Sequence, residues 1–179
     1  MPLRREATLE EKLAQVKELI ENPDSLSAMS EGSKVIIMIV KPKEESEVID
    51  ELKKIYSEKF SSVNCAEQMI KTANNYGYEQ LREDLEFFGD SLLADFSQKI
   101  RDRIVDEILR TCEMMNSEIV VLHRVGILNG ITRLNPIIEA VAGRLKKPLL
   151  IIYPGKRNGN TLTFLNSRHD MSVYRAIII

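Results

Sequence analysis

Glu118-Ile119-Val120-Val121-Leu122-His123-Arg124-Val125-Gly126 is a short apolar run that ends in polar residues and a glycine. A buried parallel strand has this form where it opens into a binding loop. Pro148-Leu149-Leu150-Ile151-Ile152-Tyr153-Pro154-Gly155 repeats the design. A third run, Lys34-Val35-Ile36-Ile37-Met38-Ile39-Val40, has enough β-branched residues to be buried on both faces, and Pro42 stops it. Three such runs separated by helical patterns predict an α/β fold with a mostly parallel central sheet of four to five strands flanked by helices. In an open sheet of this kind the loops leaving the carboxyl ends of the strands form the ligand crevice. His123, Arg124, Tyr153, Lys156 and Arg157 are therefore expected on one rim.

The segments between the strands read as helices. Thr8 and Glu11 form a capping box, and Leu9, Leu13, Val16 and Ile20 make the apolar stripe of a first helix over about 9–21, ending at Asn22-Pro23. Ser25 to Ser33 reads as a connector. Glu44, Glu45 and Glu47 suit the positive amino end of a helix with a stripe of Val48, Leu52, Ile55 and Tyr56. Phe60 to Ala66 reads equally as a short strand or a loop. From about 67 to 115 the pattern is helical, broken at Gly77 and Gly89-Asp90, with Leu81, Leu85 and Phe88 on one stripe and Leu93, Phe96, Ile100, Ile104, Ile108 and Cys112 on another. This block is a helical insertion between strands. Asn135-Pro136 suits an N-cap followed by proline, with Ile138, Val141 and Leu145 as the stripe and Arg144, Lys146 and Lys147 at the negative end. Thr161 to Phe164 after Asn158-Gly159 reads as a hairpin arm, and Tyr174 to Ile179 as a last strand.

With 179 residues, one domain with helical additions is expected over 1–179. No apolar stretch reaches the roughly 18 residues of a membrane span, and the charged start Met1-Pro2-Leu3-Arg4-Arg5-Glu6 is unlike a signal peptide. Cys65 and Cys112 read as free thiols of a reducing compartment, so the cytoplasm is the expected location. The net charge is −2. It is unevenly spread, residues 117–179 carrying +6 and residues 1–116 carrying −8. A basic carboxyl-terminal third can attract phosphate or an acidic protein surface, or be solvated and paired internally.

The chemistry these residues support is binding. Neither a dinucleotide fingerprint nor a phosphate-binding loop is present, and Gly126-x3-Gly130 reads as a strand-to-helix turn. Two histidines and two distant cysteines give no metal-ligand spacing. His169-Asp170 reads as part of a polar loop. Arg133 and Arg175 have apolar neighbours that make an unpaired charge costly, so each is expected to meet an acid or, for Arg133 equally, to recognise an anion or a partner. For Arg175 a pair with Asp170 or a helix carboxylate is favoured.

At these residues the chain resembles the BrxB family of bacterial and archaeal BREX phage-defence systems. The matching pieces are Val120-Val121-Leu122, Val125-Gly126, Ile131-Thr132-Arg133, Leu150 to Gly155, Leu162 with Phe164, and Tyr174-Arg175-Ala176. The family usually has Thr-Gly at His123-Arg124, Tyr-Pro at Asn129-Gly130 and His at Asn135. The resemblance implies a degenerate P-loop-like fold and a non-enzymatic component of a multi-protein complex, with a PglZ-like protein as first partner beside other BREX components. The strand-end rim together with the turn glycine and the two arginines makes His123, Arg124, Gly126, Arg133, Tyr153, Lys156, Arg157 and Arg175 the candidate binding residues, and no cofactor is expected. The alternative is a nucleic-acid- or nucleotide-binding regulatory module using the same positive residues.

Overall fold

The computed structural model describes residues 7–114, 116–159, 161–164, 170–173 and 175–179. His169 and Tyr174 lie outside these, as does the sequence before Ala7. Five strands run parallel: β1 (Val35–Val40), β2 (Phe60–Asn64), β3 (Ile119–His123), β4 (Leu149–Asn158) and β7 (Ile177–Ile178). Their order is β2-β3-β4-β1-β7. Two more, β5 (Thr161–Phe164) and β6 (Asp170–Ser172), extend β4 antiparallel into an arm. The expected four to five strands thus describe the parallel part alone. The undecided segment at Phe60 is an edge strand, in register with β3 from Phe60↔Ile119 to Asn64↔His123.

Every residue of β1 is buried, as are Ile119–Leu122 and Leu149–Pro154, because both faces of the sheet are covered. Side chains alternate between two cores, since successive residues of a strand point to opposite faces. Ile36, Met38, Val121, Leu150 and Ile152 meet α1 (Leu9–Glu21), α2 (Pro23–Met29) and α3 (Glu45–Tyr56). Ile37, Val120, Leu122, Ile151 and Tyr153 meet α6 (Asp90–Cys112) and α7 (Leu134–Val141). Between β2 and α6 lie α4 (Cys65–Tyr76) and α5 (Tyr78–Phe88), completing the helical insertion.

The capping box of α1 forms as expected, Thr8 and Glu11 exchanging both hydrogen bonds. Four local expectations are corrected. The connector expected over Ser25 to Ser33 is helical as far as Met29, as part of α2, which Pro23 nucleates at its first position and fully buried Leu26 holds. α7 starts two residues earlier than the Asn-Pro signal, with Arg133 instead of Asn135 as its cap, and ends at Val141. Arg144, Lys146 and Lys147 consequently follow the helix instead of ending it, where Gly143 takes a φ of 75° that turns the chain. In α6 Leu92 is buried and Leu93 is half exposed, and in α3 Ile55 is 45% exposed while Tyr56 is buried, so each apolar stripe is narrower than its sequence.

Candidate functional site

The carboxyl ends of β1, β2 and β3 converge on one buried carboxylate. β1 stops at Lys41-Pro42, a short 3-10 turn follows, and Glu45 opens α3. Across the sheet, β3 ends at His123 and Arg124 adopts a left-handed φ of 57°, which turns its N–H back toward α3. That N–H donates to Glu45 Oε1 at 2.7 Å. The guanidinium follows, Nη1 donating to Glu45 Oε2 at 3.2 Å and Nη2 to Ser46 Oγ at 3.1 Å. Glu45 is 5% exposed, so its charge is compensated by the pair, by the N–H and by the positive end of α3. Arg124 is therefore no free rim cation. It is the counter-ion of a closure pin between β3 and α3.

Burial shifts two titratable groups beside this pin. Cys65, at the head of α4, is buried, and burial together with the nearby Glu45 charge pushes its thiol well above the ordinary range. A nucleophilic cysteine needs the reverse shift. His123 is lowered from its ordinary value by burial first and by the Arg124 charge second. Its Nδ1 is buried and has no hydrogen-bond partner among the described residues.

Tyr153 reaches the same edge, one strand over, as expected of the end of a parallel strand. Its ring is buried and packs edge-on to Phe164, with centroids 6.1 Å apart. β4 does not end here: Gly155 pairs with Phe164, Lys156 with Thr163 and Arg157 with Leu162, so Tyr153-Pro154-Gly155 lies within a strand and not in a loop. A Cβ on Gly155 would stand 2.5 Å from both the Thr163 carbonyl oxygen and the Tyr153 ring. A Cβ on Gly126 would meet the Phe164 ring at 3.0 Å. The two glycines thus make room for the arm to fold against the end of β3.

The remaining candidates scatter. Lys156 is exposed on the arm. Arg157 donates from Nε to the Gly159 carbonyl at 2.6 Å and from Nη1 to the Ile178 carbonyl at 2.8 Å. Arg133 is exposed and meets no carboxylate among the described residues, so of its two readings the acid pair is not formed. Arg175 lies at the amino edge, because β7 runs parallel to β1 with Ile177 beside Ile36. There its Nη1 stands 3.8 Å from Glu139 Oε2 on α7, the helix carboxylate anticipated for it, although both side chains are partly exposed. The structure therefore brings His123, Arg124, Gly126 and Tyr153 together, puts Lys156 and Arg157 on the adjoining arm, and separates Arg175. Sequence reasoning missed Glu45, whose only local signal was its place in an acidic helix start.

Among the described residues no group of three His, Cys, Asp or Glu could hold a metal, and no helix is long and apolar enough to cross a membrane. A parallel α/β sheet whose carboxyl-edge crevice is pinned by an internal ion pair is an α/β protein built around closure of that edge. The chain belongs to the BrxB family: the family model described as BREX protein BrxB matches residues 48–179. It is thereby one of the proteins of BREX phage defence. No curated protein sequence and no solved structure gives a significant match.

Proposed function

We propose that the chain is a non-enzymatic adaptor of a BREX complex in the cytoplasm, binding a PglZ-like partner through the arm that carries Lys156 and Arg157. The arm is the observation that carries this reading. Arg157 is held in place by two backbone carbonyls, which orient its guanidinium without neutralising it. Lys156 is exposed beside it. A pre-oriented cation costs less entropy to engage than a free one. The Glu45–Arg124 pin supports a binding role over turnover, since the amino end of α3 already holds a carboxylate. A degenerate P-loop-like ancestry accords with this, because the turn Lys41-Pro42-Lys43-Glu44 after β1 contains no glycine to cradle phosphate.

Co-purification with a tagged PglZ-like protein from the same defence locus tests the reading. Wild type is expected to co-purify and Lys156→Glu/Arg157→Glu to lose the partner while keeping its circular dichroism spectrum. Retention of the partner by the double variant would remove the arm assignment. Binding to DNA that weakens steeply with salt would favour the nucleic-acid alternative instead.

A further inference from the structure

The two ends of the molecule carry complementary surfaces that the adaptor reading does not use. α6 has 23 residues, about 34 Å of helix, whereas β3 beneath it spans five residues, about 17 Å. Ile100, Ile104, Ile108 and Cys112, in its second half, pack on the sheet. Its first half consequently projects past the carboxyl edge and carries the α5–α6 turn with it. On that tip Phe87 is 84% exposed, Phe88 55% and Leu93 50%. The two phenylalanine rings stack edge-on at 4.9 Å, forming one apolar knob. Residues 79–95 surround the knob with six carboxylates, of which Glu79 pairs with Arg82 and Asp95 with Lys99. Of the other four, Glu83, Glu86 and Asp90 are exposed.

At the opposite, amino edge a cavity of about 780 Å³ opens where the chain enters β1 to β4. Its apolar wall includes Ile20, Pro23, Ile55, Tyr56 and Pro148. Five lysines, Lys17, Lys34, Lys59, Lys146 and Lys147, surround it against Glu21 and Glu118. Lys34 and Lys147 donate only to backbone carbonyls, those of Leu145 and Met114, so their charges stay uncompensated. The Tyr56 hydroxyl, also in this wall, is buried and has no acceptor among the described residues. Ligand crevices of open α/β sheets lie at the carboxyl edge, so this location suits a protein contact better than a cofactor.

We propose that the acidic Phe87–Phe88 tip of one copy docks into the lysine-rimmed cavity of a second copy, giving head-to-tail self-association. Apolar knob meets apolar wall, a negative collar meets a positive rim, and the two surfaces lie at opposite ends of one chain. Such a contact is heterologous, so an open assembly leaves one free tip at one end and one free cavity at the other unless a ring closes.

Sedimentation velocity of the full chain across a wide concentration range tests it. The mass is expected to rise above the monomer with concentration and to fall back as salt screens the collar. Phe87→Ser/Phe88→Ser should be monomeric, as should Lys17→Glu/Lys146→Glu, whose lysines are more than half exposed and paired only at the surface. Mixed together, these two variants each retain one intact surface and should form a heterodimer that grows no further. A variant that leaves the apolar tip untouched, Glu83→Lys/Glu86→Lys, should associate with Lys17→Glu/Lys146→Glu. Wild type that stays monomeric throughout overturns the proposal, as does self-association of Lys17→Glu/Lys146→Glu, which would mean a tip-to-tip contact.

Discussion

Removing the Glu45 carboxylate is the most direct perturbation of the closed edge. Glu45→Ala deletes a charge-assisted hydrogen bond from the Arg124 N–H, worth about 1.5–3 kcal/mol. It also deletes the ion pair, which adds at most about 1 kcal/mol because Arg124 is half exposed and water can solvate it. The expected loss is about 2–3 kcal/mol. For a chain of this length each kcal/mol lowers Tm by roughly 2–4 °C, giving a fall of about 4–12 °C. Glu45→Gln keeps an acceptor for the N–H and should lose about 1 kcal/mol. Ser46→Ala, which removes only the exposed hydroxyl contact to Nη2, should stay within about 0.5 kcal/mol of wild type. Urea denaturation followed by circular dichroism gives all three on one scale. If Glu45→Ala matches Ser46→Ala, the pin holds nothing and the account of the closed edge is wrong.

Other outcomes follow from neighbouring geometry. Gly155→Ala forces a backbone carbonyl or the Tyr153 ring to move and should cost roughly 2–3 kcal/mol, whereas Gly126→Ala asks only the Phe164 ring to give way and should cost about 1 kcal/mol; equal effects in chemical denaturation would contradict this ranking. Cys65 and Cys112, both buried with raised thiol pKa, should resist a thiol reagent at pH 8 until the chain is unfolded, and rapid labelling of the native protein would refute their burial. Because His123 is depressed in the folded state, the unfolded chain takes up its proton first as pH falls below about 6.5, so stability declines there and the loss levels off below the folded pKa. His123→Asn should flatten that part of the stability profile, and an unchanged slope would place the effect elsewhere. Tyr56, its pKa raised to about 12 by burial and then by Glu21 and Glu118, buries an unpartnered hydroxyl, so Tyr56→Phe should be neutral or stabilising in thermal melts.

The central strands were legible because burial on both faces leaves little choice of residue: β1, residues 119–122 of β3 and residues 149–152 of β4 are continuous apolar runs at full depth. The breaks at Gly77 and Gly89 were equally plain, each glycine taking a positive φ between helices. Less was visible where the deciding contact is distant. Glu45 and Arg124 are 79 residues apart, and neither has a local pattern that names the other. Helix α2 hid because a segment rich in Ser and Met shows no stripe when one residue, Leu26, supplies its anchorage. The rim was overdrawn for a related reason. Tyr153-Pro154-Gly155 resembles a strand end in composition, but antiparallel pairing with β5 continues the strand, and pairing partners are a property of the fold.

One uninterrupted strand, β4, forms both the middle of the parallel sheet and one rail of the arm. The arm is thus a cantilever rooted in the most deeply buried part of the protein. A load applied at Arg157 is transmitted along covalent backbone to Ile151 and Ile152 without crossing a hinge. Whatever grips this projection takes hold of the hydrophobic centre directly.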